Sequence, residues 1–116
     1  MSKELSDLRE VLRRFAADRD WDQFHSPKNL ASALTVEVAE LLEHFQWLTE
    51  EQSRQLPPEV SAKVRDELAD VFIYTIRLAD KMSVDLLAAA HDKIARNAEK
   101  YPIEKARGVA TKYTDL

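Results

Sequence analysis

One glycine in 116 residues, Gly108, leaves this chain few of the tight turns that a sheet fold of its size requires. Helices need no such residue, and 45% hydrophobic with 33% charged residues is a balance suited to a helical globular protein. The length fits one domain with a modest core. The expectation is therefore an all-α bundle, with residues 1–116 forming a single domain.

The absence of cysteine removes disulfides and thiolate metal sites, leaving carboxylates and three histidines as candidate metal ligands. A net charge of −4, from 17 basic and 21 acidic residues in mixed order, provides no broad basic field for a nucleic-acid polymer. No apolar run approaches the roughly 18 residues of a membrane span. The segment "MSKELSDLRE" is too charged for a signal peptide. No nucleic-acid polymer and no membrane are expected as partners, and the expected location is cytoplasmic.

Leu5, Leu8, Leu12 and Phe15 recur at helical spacing across residues 3–19, predicting a first amphipathic helix. "DRDWDQFHS" interrupts it. Ser26 and Pro27 suit an N-cap and first helical position for a second helix reaching about Trp47. Thr49 to Pro58 reads as a polar connection, Pro58 as the start of a third helix through about Met82, and Ser83 with Asp85 as the cap and first-turn acid of a fourth. That helix should end near Tyr101-Pro102, with 102–116 as an extended tail.

At about 100° per residue, Leu30, Leu34, Val38, Leu41, Phe45 and Leu48 occupy an arc of roughly 80° on the second helix. Glu37 lies about 20° outside that arc, and Glu40 roughly 60° further round. On the third helix Val64, Leu68, Val71, Phe72, Thr75, Leu78, Ala79 and Met82 form the apolar stripe, and Glu67, Asp70 and Tyr74 run along its border. Acids three apart on one helix converge on one point. If the two helices pack antiparallel, four carboxylates meet, and their mutual repulsion calls for a cation. An all-oxygen donor set suits Mg2+, with Mn2+ as a substitute.

On the fourth helix Leu86, Leu87, Ala90, Ile94, Ala98 and Tyr101 make the apolar stripe, while Lys93, Asn97 and Lys100 line one border, a row able to hold phosphate oxygens. Acids for a metal and a cationic row opposite suit phosphoryl chemistry on a nucleotide, and no Gly-rich phosphate loop is present. Trp21, Phe24 and His25 precede the second helix and Trp47 ends it, offering flat faces for a nucleobase.

"EVAE" (37–40) followed by "ELAD" (67–70) resembles the ExxE and ExxD pair of the MazG-like all-α nucleoside triphosphate pyrophosphohydrolases. "WDQFHSPKNL", "KIARNAEKYP" and "KYTDL" look like the dCTP pyrophosphatase branch of that family, so the resemblance runs from about Asp18 to the last residue. It implies a magnesium-dependent cleavage between the α and β phosphates, giving a monophosphate and pyrophosphate. It also implies that Glu37, Glu40, Glu67 and Asp70 hold metal, with Glu37 or Glu40 activating water. Lys93, Asn97, Lys100 and Tyr101 would bind the triphosphate and Tyr74 the sugar or phosphates. Trp21, Phe24, His25, Asn29 and Trp47 would recognise the base. The implied assembly is a homo-dimer or homo-tetramer that completes the four-helix bundle, and Ile73, nearly opposite the third helix's stripe, fits a second buried face.

The bland reading of the acids is a solvated helix border, and that of Trp21 and Trp47 is core or interface packing. His44 and His91 are assigned no role, and Glu43 and Asp66 are turned away from the core. A ferritin-like di-iron bundle would need Glu-x-x-His pairs, but Leu41 and Ala88 stand three before His44 and His91. The alternative function is a non-catalytic helical nucleotide-binding or protein-interaction module.

Overall fold

The computed structural model describes residues 2–116. Helix α1 (Lys3–Asp18) starts at Ser2, whose hydroxyl accepts from the Leu5 amide at 3.1 Å. A single 3₁₀ turn, Asp22–Phe24, leads to α2 (Pro27–Glu43), which opens with Ser26 as N-cap and Pro27 at the first helical position, as the sequence predicts. The polar connection contains a short helix, α3 (Glu50–Ser53), nucleated by a capping box in which Thr49 and Gln52 satisfy each other's backbone amides. Then come α4 (Pro58–Lys81), α5 (Leu86–Lys100) and a last short helix, α6 (Ile103–Ala106).

Both α1 and α4 end without glycine in the same way. Asp20 and Ser83 take φ of 54°, and the following amides, of Trp21 and Val84, each donate 2.9 Å back to the carbonyls of Ala16 and Ala79. This is the Schellman arrangement, which ties off the last carbonyls at the cost of a left-handed residue. Ser83 therefore ends α4 rather than capping α5. The N-cap of α5 is Asp85, whose carboxylate accepts from the Ala88 amide.

Helix α4 is the hub. Asp22 meets Lys81, His25 meets Arg77, and His44 meets Glu67, so positions climb along α2 as they descend along α4. The two are antiparallel. Arg13 of α1 meets Asp80 while Ala16 lies with Tyr74 around a common cavity, which makes α1 antiparallel to α4 as well. The buried residues Ala16, Leu30, Ile76 and Ala79 mark the seam of these three helices.

Two expected stripes are covered only in part: Leu30 and Ala79 are buried and Leu34, Leu41, Phe45, Val64, Val71, Thr75 and Leu78 half-buried. Val38 on α2 and Leu68, Phe72 and Met82 on α4 are about half exposed. Beside the covered part of the stripes, the inward side also carries Glu37 and Glu40 on α2, and Glu67, Asp70, Ile73, Tyr74 and Arg77 on α4. Ile73 thus packs within the chain, against α1, rather than on an outward face. Helix α2 also ends earlier than its periodicity predicts, so Trp47 sits in the turn beyond it.

Helix α5 stands clear of the seam. Every residue from Leu87 to Tyr101 is exposed, so its apolar stripe, including Ile94, is uncovered within one chain. The radius of gyration, 17.7 Å, exceeds the roughly 13 Å of a compact chain of this length, which fits a helix that projects. The tail is not simply extended: Tyr113, opening a 3₁₀ turn, returns to the end of α5, where its ring meets Tyr101 edge-on at 6.0 Å. Among the described residues no helix is long and apolar enough to cross a membrane.

A candidate metal and nucleotide site between α2 and α4

The antiparallel pairing of α2 with α4 brings Glu37, Glu67 and Asp70 together, each offering a carboxylate oxygen within 4.8 Å of the others. Helical spacing of three puts Glu67 and Asp70 on one face, and packing supplies Glu37 from across the seam. Glu40 lies outside this tight group yet close enough to act on Glu37 by hydrogen bonding and by charge.

Glu37 carries the electrostatic signature of the cluster. Burial, then the hydrogen bond and charge of Glu40, then the charge of Asp70 and a hydrogen bond with Glu67, push its carboxyl up to about 7. Oε2 of Glu37 and Oε2 of Glu67 are buried without a hydrogen-bond donor. Two acceptors left this way are costly, and two carboxyls hydrogen-bond each other only when one holds a proton. A hard divalent cation removes both problems, so the donor set fits Mg2+ or Mn2+.

A cavity of about 300 Å³ adjoins the acids. Asp70 and Tyr74 form one wall, Trp21 and His25 another, and Phe15 and Ile73 supply apolar surface. Trp21 meets Phe15 edge-on at 5.7 Å, and the Arg19 guanidinium lies 3.6 Å above the Phe15 ring. A flat aromatic wall, two ring or phenol polar groups and a carboxylate beside a metal-type cluster suit a small aromatic ligand bearing an anionic group.

The remaining predicted residues fall into two sets. Asn29 ties the preceding turn together, its side-chain amide donating 2.9 Å to the Phe24 carbonyl, and Phe24 itself is exposed. Trp47 is 87% exposed and does not border the cavity. Lys93, Asn97 and Lys100 lie on the projecting α5 and Tyr101 caps its end, also away from that cavity. Lys100 points its ammonium 4.8 Å from the Tyr113 ring centroid.

Two residues not singled out from sequence belong to the neighbourhood. His44 places Nε2 3.9 Å from Oε1 of Glu67. Arg77, 4% exposed, donates from Nη2 to Asp22 and to His25, both at 3.0 Å. An arginine within the apolar run "VFIYTIRLAD", three residues after Tyr74, is the signal that marks it.

A sequence model of the MazG-like family matches residues 33–116. The chain is similar to dCTP pyrophosphatase 1 of Mus musculus, 47% identical over 114 residues, covering 97% of this chain and 67% of that protein. The Homo sapiens protein of the same name is 44% identical over the same coverage. Among solved structures, a pyrophosphatase from Archaeoglobus fulgidus superposes with a TM-score of 0.79 at 36% identity, covering 88% of this chain and 95% of that one.

Proposed function

Because the chain belongs to the MazG-like family, we propose that it is a nucleoside triphosphate pyrophosphohydrolase acting on dCTP or a modified dCTP, with Mg2+ as cofactor and Mn2+ as a substitute. The observation that carries this reading is the convergence of Glu37, Glu67 and Asp70 beside the cavity walled by Trp21, His25 and Tyr74.

Glu37, Glu40, Glu67 and Asp70 hold the metal, which when bound neutralises the crowded acids and the triphosphate charge. Trp21 stacks on the base and His25 bonds its edge, while Tyr74 reaches the sugar or phosphates. Glu37 or Glu40 orients the attacking water and takes its proton. The bond between the α and β phosphates breaks, releasing the monophosphate and pyrophosphate.

Residues 1–116 act as one hydrolase domain, with 102–116 as its tail, in a cytoplasmic homo-dimer or homo-tetramer. Support for assembly comes from the uncovered apolar side chains Leu42, Leu68, Phe72 and Ile94. A second chain covering α5 would let Lys93, Asn97, Lys100 and Tyr101 bind the triphosphate, and would give Trp47, Phe24 and Asn29 a place near the base.

The deciding experiment is product analysis on ribo- and deoxyribonucleoside triphosphates with and without Mg2+. Magnesium-dependent release of monophosphate and pyrophosphate, fastest with a deoxycytidine nucleotide, is expected. Diphosphate and phosphate as products would overturn the reading, and absence of turnover in a folded protein would favour a non-catalytic nucleotide-binding module.

A further inference from the structure

Arginine is almost never buried unless its charge is met, and Arg77 is met by an unusual set. Its Nη2 donates to Asp22 Oδ1 and His25 Nδ1, both at 3.0 Å, and its Nη1 lies 3.7 Å from Asp80 Oδ2. One Nη carries two hydrogens, so both short bonds are made at once. A guanidinium accepts no hydrogen bond, so Nδ1 of His25 must be the acceptor and the ring proton must sit on Nε2.

The carboxylate next to the ring does not reverse that choice. Asp22 is shared with Lys81, whose Nζ donates to the same Oδ1 at 2.6 Å. Burial, and then the Arg77 charge, holds His25 below its ordinary value, so the ring is neutral at pH 7. His25 borders the cavity that also holds Trp21, Tyr74 and Asp70, and among the described residues its ring bonds to Arg77 through Nδ1, with no acceptor against Nε2.

We propose that Arg77 is a positioning residue that locks His25 as the Nε2–H tautomer, so that the imidazole donates one hydrogen bond to a carbonyl oxygen on the edge of a pyrimidine stacked near Trp21. The proposal rests on the reading of this cavity as the base site, and it adds the residue that sets the polarity of the contact. A donor locked in this way selects a base edge that presents an acceptor and penalises one that presents a donor. Arg77 itself touches no ligand.

The test uses the full chain, with dCMP as the probe so that binding is read without turnover. Two-bond ¹H–¹⁵N spectra of the imidazoles, with His25 assigned by its loss in His25→Gln, report the tautomer directly. The expected result is a single Nε2–H form that shifts on adding dCMP. Arg77→Met should give mixed tautomers and weaken dCMP about tenfold, the loss of one hydrogen bond, while Arg77→Lys should recover part of both.

Should Arg77→Met fail to fold, the His25 pair decides. Gln places its amide nitrogen near the position of Nε2 and should keep most of the affinity. Asn places its side-chain amide near Nδ1, keeping the Arg77 contact but not the donor, and should lose about tenfold. Equal affinity for the two variants, a preference for Asn, an Nδ1–H ring in the unsubstituted protein, or no His25 shift with dCMP would each overturn the proposal. Failure of dCTP hydrolysis with the tautomer and the dCMP shift intact would instead overturn only the hydrolase reading.

Discussion

Arg13 on α1 grips Asp80 on α4 by both carboxylate oxygens, with Nε 2.7 Å from Oδ2 and Nη2 on Oδ1. This two-pronged contact fixes the angle of α1 over α4, and with it the positions of Phe15 and Ala16 in the cavity wall. Asp80 also faces Arg77, so one acid steadies both the scaffold helix and the residue that holds His25.

Asp80→Asn is therefore expected to cost about 1–3 kcal/mol, because it leaves the buried Arg77 short of a counter-charge. Arg13 above all, with its bond and its charge, holds the Asp80 carboxyl below the usual carboxylate range. A depressed carboxyl stabilises the fold above its unfolded value and loses that contribution as pH falls through its folded one. The gap in urea midpoint between the native chain and Asp80→Asn should accordingly be full at pH 7 and narrow below about pH 4.

Glu37 should behave in the opposite sense. Its folded carboxyl, at about 7, lies above the unfolded value of 4.5, so the folded state loses relative stability as pH rises through that interval. Without metal, Glu37→Gln is expected to match the native chain at pH 4 and to exceed it by on the order of 1–2 kcal/mol at pH 8, allowing for solvent screening. Millimolar Mg2+ should raise the melting temperature of the native chain at pH 8 and barely affect the variant. Parallel pH profiles for the two proteins would show that the acids do not oppose one another.

Glu40→Gln and Asp70→Asn are each expected to lower triphosphate turnover by at least about a hundredfold with the helical circular dichroism unchanged. Calorimetry with Mn2+ supplies the independent readout, and affinity should fall more for Asp70→Asn than for Glu40→Gln. The reason is that Asp70 lies inside the tight carboxylate group and Glu40 beside it.

The two tryptophans should separate. Trp21 walls the cavity, so Trp21→Ala is expected to raise KM about ten- to a hundredfold, the loss of one stacked base. Trp47, 87% exposed, should change the unfolding free energy of a single chain by no more than about 0.5 kcal/mol when replaced by alanine. A rise in KM for Trp47→Ala, accompanied by dissociation in light scattering for Phe72→Glu, would mean that a second chain brings Trp47 to the base.

Ser83 holds φ of 54°, a conformation glycine adopts without the clash that a Cβ brings. Ser83→Gly is expected to raise stability by about 0.5–1 kcal/mol, read as a higher melting temperature with the spectrum unchanged.

Much of the architecture is local and was legible before any packing was known. Ser26-Pro27 opens α2, Pro58 opens α4, and α5 ends at Tyr101-Pro102, because capping and proline chemistry act within a turn of the residue that carries them. The pairing of ExxE with ExxD was legible too, since three-residue spacing alone sets the side chains of each pair on one face.

How far each stripe is covered, and what shares the seam with it, was another matter. The apolar stripes pointed to Val38, Leu68 and Phe72 as core, yet within one chain these are exposed and the acid-bearing faces meet. Periodicity ranks the faces of a helix by hydrophobicity but cannot say which partner each will find. The burial of Arg77, the single donor left on His25 and much of the elevated proton affinity of Glu37 arise from groups 30 to 55 residues apart, such as Asp22 with Arg77. Residue identity and spacing determined the helices and the chemical inventory. Only tertiary packing decided which charges share a low-dielectric seam, because desolvation and charge repulsion depend on distance in space rather than along the chain.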